Sequence, residues 1–266
     1  MTVRQGYTVE NDPDLGGALA FAAERGFEFV ELNMEHAFER RRIDPDAVAD
    51  TLAEHGVDVT VHLPYRLDPG SPHEHVRDGA CRELGAALDA AATLGAERAV
   101  MHASSGAHAD RWDADEIRAV IFDSVRRVDA AARDRGVELV VENLKSPFFD
   151  AADFPRLFER TDASACLDTG HAHVSGVDGT EQAALLREHG DRIAHVHLNE
   201  TRNDREDEHL PVGLGVVEFG PLARAMVETD WEGTCTHEVY GFDRAYAAYG
   251  KAAFDRLLAD ARGTDR

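Results

Sequence analysis

The chain predicts a closed (β/α)8 TIM barrel of the α/β class, and three features of its 266 residues carry that expectation. Eight short apolar runs alternate with eight helix-forming segments, the order that builds a parallel sheet with helical crossovers. Most of the helical segments stop at a glycine, the residue that accepts the left-handed geometry of a helix end. No Gly-x-Gly-x-x-Gly follows the first run, so the open doubly wound sheet, which shares this alternation, lacks its phosphate-binding turn. Eight units close a ring, and a chain with no Pro/Ser-rich linker fits one such domain over residues 1–266.

In order, residues 3–9 predict the first strand and 13–25 the first helix, opened by Asn11-Asp12-Pro13 and closed by Gly26. Residues 27–32 make the second strand, and Asp44 caps a helix over 45–54 that Gly56 ends. The third strand, 57–62, alternates Val-Asp-Val-Thr-Val-His and leaves through Leu63-Pro64-Tyr65. Beyond the Asp68-Pro69-Gly70-Ser71-Pro72 loop a long helix runs from 73 to 94 and stops at Gly95. The fourth strand is 99–102, followed by a helix over 113–135 ending at Gly136. The fifth is 137–142 with a shorter helix at 151–160, and the sixth is 163–168. A helix over 180–189 stops at Gly190, and 193–198 is the seventh strand. A polar loop over 199–218 carries the charge run from Arg202 to His209; a helix at 219–228, a strand at 231–239 and a helix at 244–261 complete the alternation.

The net charge of −23 comes from acids scattered along the helices, and only Lys145 and Lys251 are lysines. Such a coat is solvated rather than sticky, and it resembles in composition the proteins of salt-loving archaea. It repels a phosphate polymer unless molar salt shortens the screening length to about 3 Å. Cys81, Cys166 and Cys235 are far apart and lack CxxC spacing, so they read as small core residues rather than disulfides or a zinc knuckle. No run of 18 apolar residues occurs and the first residues lack a signal-peptide profile, which predicts a cytoplasmic protein with no membrane partner.

The chemistry centres on Cys166-Leu167-Asp168-Thr169-Gly170-His171-Ala172-His173. A strand delivers Asp168, and a tight Thr-Gly turn is expected to bring His171 back beside it. Alone, the octet also reads as a polar loop after a buried strand. Other strands end the same way: Glu31, His62, His102, Glu142, Asp168, His197 and Glu238 stand at seven of the eight expected strand ends. With 51 acids and 14 histidines making about a quarter of the chain, that is far above chance. In a barrel these ends converge on one face, where imidazoles and carboxylates without thiolates suit a divalent metal, zinc if nitrogen-rich, manganese or magnesium if oxygen-rich. Singly, His62 and His102 are compatible with hydrogen-bonded core histidines, whereas a buried Glu142 is costly unless paired or bound to metal. Glu31 is expected to cap a strand or bind an arginine. Strand alternation is expected to send only one of His195 and His197 inward, with the Leu198-Asn199 exit selecting His197. His55, His73, His75, His108 and His189 read as surface residues.

Taken together, Val61-His62-Leu63-Pro64-Tyr65, Val141-Glu142-Asn143-Leu144, the octet above, His195-Val196-His197-Leu198-Asn199, Asp207-Glu208-His209-Leu210-Pro211-Val212-Gly213-Leu214-Gly215 and Thr236-His237-Glu238-Val239 resemble the xylose isomerase-like barrels. That superfamily joins sugar and sugar-phosphate isomerases and epimerases with the endonuclease IV type of apurinic-site nuclease. The resemblance implies that Glu142, Asp168, His197 and Glu238 are the ligands of one shared catalytic metal. It implies further that His62, His102, His171, Asp207 and His209 are the positions completing a three-zinc cluster in the nuclease branch. Asn143-Leu144 departs from the glycine-rich turn of the nucleases and matches many isomerase-like members.

Two enzymes, each using one to three zinc or manganese ions, are therefore expected candidates. The first is an isomerase or epimerase of a small sugar or sugar phosphate, with Glu142 and Glu238 moving a proton, His171 holding a substrate oxygen, and Tyr65, Asn143 and Asn199 lining the substrate. The alternative is a zinc nuclease of abasic DNA in which Tyr65 presses on the gap, although Arg66, Lys145, Arg202 and Arg205 are a thin supply of basic loops. A barrel that binds metal or sugar without turnover is a third reading. Nucleic acid is a partner only under the nuclease reading, and either enzyme leaves room for a homo-oligomer.

Overall fold

The computed structural model describes residues 3–10, 14–241 and 243–264, so the expected helix start at Asn11-Asp12-Pro13 lies outside the described residues. The strands are β1 (Arg4–Val9), β2 (Phe29–Asn33), β3 (Asp58–His62), β4 (Arg98–His102), β5 (Glu138–Glu142), β6 (Ser164–Asp168), β7 (Ile193–Leu198) and β8 (Thr234–His237). Each pairs in parallel with the next, and β8 pairs with β1 to close the barrel in chain order. Around it lie α1 (Leu15–Arg25), α2 (Pro45–His55), α3 (Glu74–Leu94), α4 (Ala114–Arg133), α5 (Phe154–Arg160), α6 (Thr169–Val174), α7 (Gly179–His189), α8 (Phe219–Glu228) and α9 (Ala245–Thr264).

Local rules explain most boundaries. The Asp44 carboxylate accepts the Ala47 amide to start α2 with Pro45 in its first turn, and Gly26, Gly56 and Gly95 end α1, α2 and α3 in the left-handed region. On α4, Ile117, Ile121, Val125, Val128 and Ala132 recur at helical spacing and form one buried stripe. That stripe packs in the main core with the outward strand residues Val61, Val141, Leu167 and Val196. The inward residues Val100, Val140 and Cys166 form a separate small cluster. All three cysteines are buried and free. No described helix is long and apolar enough to cross a membrane.

Three boundaries differ from expectation. Strand β2 runs on to Asn33, so Glu31 lies in mid-strand, one inward layer below the mouth. Strand β8 starts later than 231, because the Trp231 backbone amide donates to the Met226 carbonyl at the end of α8, at 3.0 Å, instead of joining the ladder, while its indole donates to the Ile193 carbonyl at 2.8 Å. The extra helix α6 replaces the expected Thr-Gly turn, because Asp168 acts as its cap and accepts the His171 amide at 2.6 Å.

Candidate metal centre

The C-terminal strand ends supply His62 from β3, His102 from β4, Glu142 from β5, Asp168 from β6 and His197 from β7, with Glu238 one residue past β8. α6 adds His171. The loop after β7 adds Asp207 and His209, steadied by a two-way backbone pairing of Glu200 with Leu210 and by the Tyr240 amide on the His209 carbonyl. His209 itself takes a φ of 49°, a left-handed conformation uncommon for a side chain of its size.

These nine side chains form three adjoining groups. One ligand atom from each of Glu142, Asp168, His197 and Glu238 lies within 4.8 Å of the others, and the same holds for His62, His102 and Glu142 and for His171, Asp207 and His209. Glu142 belongs to two groups: its Oε2 is 3.2 Å from His62 Nε2 and 3.1 Å from His102 Nε2, and its Oε1 is 3.2 Å from His171 Nδ1. His197 Nδ1 lies 3.1 Å from Glu238 Oε2, 3.8 Å from Glu142 Oε2 and 3.9 Å from Asp168 Oδ2. His171 Nε2 meets Asp207 Oδ2 at 2.9 Å, and His209 Nδ1 meets the same oxygen at 3.2 Å.

The donors suit a divalent cation. Glu142 Oε1, His197 Nδ1, Glu238 Oε2 and Asp207 Oδ1 are buried yet make no hydrogen bond of good geometry among the described residues. Buried polar atoms without such bonds are rare and costly, and here they gather in one place with nitrogen and oxygen lone pairs.

Charge in the cluster is strongly coupled. Burial would raise the Glu142 carboxyl, but His102 and His197 outweigh it and hold it well below the usual range. Glu238 is likewise lowered against burial, by His197 and His209. Asp168 goes the other way, pushed up to about 7 by burial and by the nearby Glu142 and Glu238 carboxylates in spite of His171. His209 rises to about 9 because Glu238 and Asp207 overcome its burial, whereas at His102 burial prevails and lowers the imidazole.

Several expected roles move. Asn143 and Asn199, expected at the substrate, are fully buried. The Asn143 amide exchanges two hydrogen bonds with the Asp168 backbone, at 2.8 and 3.0 Å, and Asn199 Nδ2 donates to Asp168 Oδ2. Both therefore hold Asp168 in place. Gly170 is helical rather than turn-forming; a Cβ there would overlap Asn199 Oδ1. Tyr65 lies beside the first triad, its ring 5.7 Å from His62 and 5.5 Å from His102. His195 and His197 both point inward, because residues two apart on a strand share a face. Glu31 lies in mid-strand and binds no arginine among the described residues; it sits beneath both histidines, 3.1 Å from a nitrogen of each.

Sequence reasoning missed Tyr240, whose hydroxyl donates to Glu238 Oε1 at 2.8 Å and whose ring stacks on His209 at 4.0 Å. Its place two residues after Glu238 was the available signal. Glu35, which accepts the Tyr65 amide at 3.0 Å, had none. His237 faces outward between Phe27 and Phe254 and donates to Gln5 Oε1, and burial keeps it neutral by lowering it to about 3.

A family model described as xylose isomerase-like TIM barrel matches residues 19–257. Among curated relatives, an uncharacterized protein of Methanocaldococcus jannaschii, MJ1311, is 26% identical over 68% of this chain and 64% of its own length. A probable endonuclease 4 of Malacoplasma penetrans is 26% identical over 62% of each chain, so these matches span less than two thirds of both relatives. The crystal structure of a D-tagatose 3-epimerase-like protein superposes with a TM-score of 0.82 over 99% of this chain and 100% of that one, at 22% identity, which speaks for the fold. The chain belongs to the xylose isomerase-like TIM barrel family.

Proposed function

We propose that this member of the xylose isomerase-like barrels is a divalent-metal-dependent isomerase or epimerase of a small sugar or sugar phosphate. The observation that carries the reading is the buried group of Glu142, Asp168, His197 and Glu238 beneath a rim with few basic side chains. Arg202 is bound by Glu208, and Lys145 Nζ donates to the Arg205 carbonyl. Glu10, raised by burial and by Glu238, adds acid at the same mouth. A polyanion is disfavoured there, while a small polyhydroxylated substrate meets a dense set of hydrogen-bonding partners.

A divalent cation held by those four side chains would supply Lewis-acid polarisation of a carbonyl oxygen. Glu142 and Glu238 would then share the proton transfer beside that carbonyl, one taking it and the other returning one. Tyr240 pins Glu238 Oε1, fixing the orientation of that carboxylate. His171, held at Nδ1 by the Asn143 carbonyl at 3.0 Å, would steady a substrate oxygen by turning its Nε2 from Asp207 to that oxygen, and Tyr65 would wall the entrance. The test is a panel of ketoses and ketose phosphates incubated with manganese-loaded protein in D2O. Deuterium entering the carbon beside the carbonyl, and stopping with chelator, is the expected result; no exchange on any member overturns the reading.

A second reading is favoured by the two flanking triads, which a one-ion isomerase does not need: a zinc phosphodiesterase acting on abasic DNA, with Glu142 shared between ions. Metal analysis giving about three zincs per chain, together with chelator-sensitive incision of an abasic duplex at molar salt, would select it.

A further inference from the structure

Below the candidate metal centre, beside the small inward cluster of Val100, Val140 and Cys166, the barrel axis carries a hydrogen-bonded column in place of part of the branched apolar layers usual in this fold. Glu31, fully buried, accepts from Thr60 Oγ1 at 3.3 Å, Thr236 Oγ1 at 3.2 Å and His195 Nε2 at 3.1 Å. His197 Nε2 hydrogen-bonds Glu31 Oε2 at 3.3 Å. His195 Nδ1 is 2.6 Å from Thr234 Oγ1, which in turn is 3.1 Å from Arg98 Nη1 at the opposite end of the barrel.

The donor directions in this column are fixed by chemistry. A guanidinium can only donate, so Arg98 gives a hydrogen to the Thr234 oxygen. His195 Nε2 faces the Glu31 carboxylate, which can only accept, so the His195 proton sits on Nε2 and its Nδ1 accepts from the Thr234 hydroxyl. A carboxylate can only accept, so His197 also carries a proton on Nε2, and its Nδ1, which faces Glu142, Asp168 and Glu238 and makes no hydrogen bond of good geometry among the described residues, is the nitrogen left to take a cation. A carboxylate fully removed from water is costly unless paired, and this one is paired with the two histidines and two hydroxyls.

We propose that Glu31 is a positioning residue that sets the tautomer and tilt of His197 for cation binding, with Arg98, Thr234 and His195 as the relay that fixes Glu31 in turn. The inference rests on the reading that the Glu142, Asp168, His197 and Glu238 group takes a metal. Glu31 touches neither substrate nor ion in this scheme; it acts through His197 alone.

The measurements are cobalt titration followed by visible absorption, and the nitrogen chemical shifts of the His197 ring in zinc-loaded protein. Wild type is expected to bind cobalt and to show the Nε2–H tautomer. In Glu31→Gln the amide can donate to Nε2 and let the proton settle on Nδ1, so cobalt affinity is expected to fall about 10–100-fold, as for other outer-shell partners of metal ligands. Thr234→Val, close in shape and cutting only the relay, is expected to lose affinity severalfold and serves if Glu31→Gln does not fold. Bound cobalt with unchanged affinity and an unchanged His197 tautomer in these variants overturns this inference alone. Wild-type protein that binds no cobalt overturns the metal reading and the inference together.

Discussion

Along β5, Leu139 and Val141 face the helices while Val140 and Glu142 face the barrel axis; along β7, Val196 and Leu198 face out while His195 and His197 face in. On these two strands the outward set is apolar and joins one continuous core with the helices. The inward set changes character with height, from Val140 and Cys166 to Glu142, Asp168 and His197. Because strand side chains alternate, the two programmes occupy interleaved positions of the same few residues, and a one-residue slip would exchange them. The comparison teaches that stability and chemistry are separable here by parity, and it can be broken by experiment.

The largest effect is expected from Glu142→Ala, which removes the carboxylate common to two ligand groups. Metal affinity and turnover should fall by more than the roughly hundredfold ceiling typical of outer-shell partners, while thermal unfolding of metal-free protein moves less than in the outward-facing counterpart. That counterpart is Leu167→Ala, one residue before Asp168, expected to cost about 2–5 kcal/mol in denaturant unfolding with metal stoichiometry unchanged. If either variant shows the other's phenotype, the separation by parity is wrong. Gly170→Ala should mix the two: overlap with the Asn199 amide costs about 1–3 kcal/mol and loosens Asp168, so stability and metal affinity fall together. Tyr240→Phe should be the mildest, losing one hydrogen bond on Glu238 worth about 0.5–1.5 kcal/mol, read as a severalfold drop in kcat with KM nearly constant.

Alternation of apolar runs and helix stops was enough to read the barrel, and with it the convergence of strand ends such as those of β3 to β7 on one mouth. Depth along the axis was not legible. Glu31 looked like a strand end because nothing local to residues 27–32 says that β2 continues to Asn33. His195 shares the inward face with His197, since positions two apart on a strand point the same way, and the Leu198-Asn199 exit carries no information about it. The short α6 is below the length at which helical periodicity can be detected, and its start depends on Asp168 serving as a cap. Asn143 and Asn199 looked like substrate contacts because an amide beside a ligand cluster carries no sign of which neighbour it serves; only packing assigns them to Asp168.

Asp168 is gripped from four directions: the Asn143 amide on its carbonyl and on its N–H, Asn199 on one carboxylate oxygen, and the His171 amide on the other. A cation held there would meet a carboxylate set in place by the fold itself, so exchange of one cation for another would leave this part of the surrounding chain unmoved.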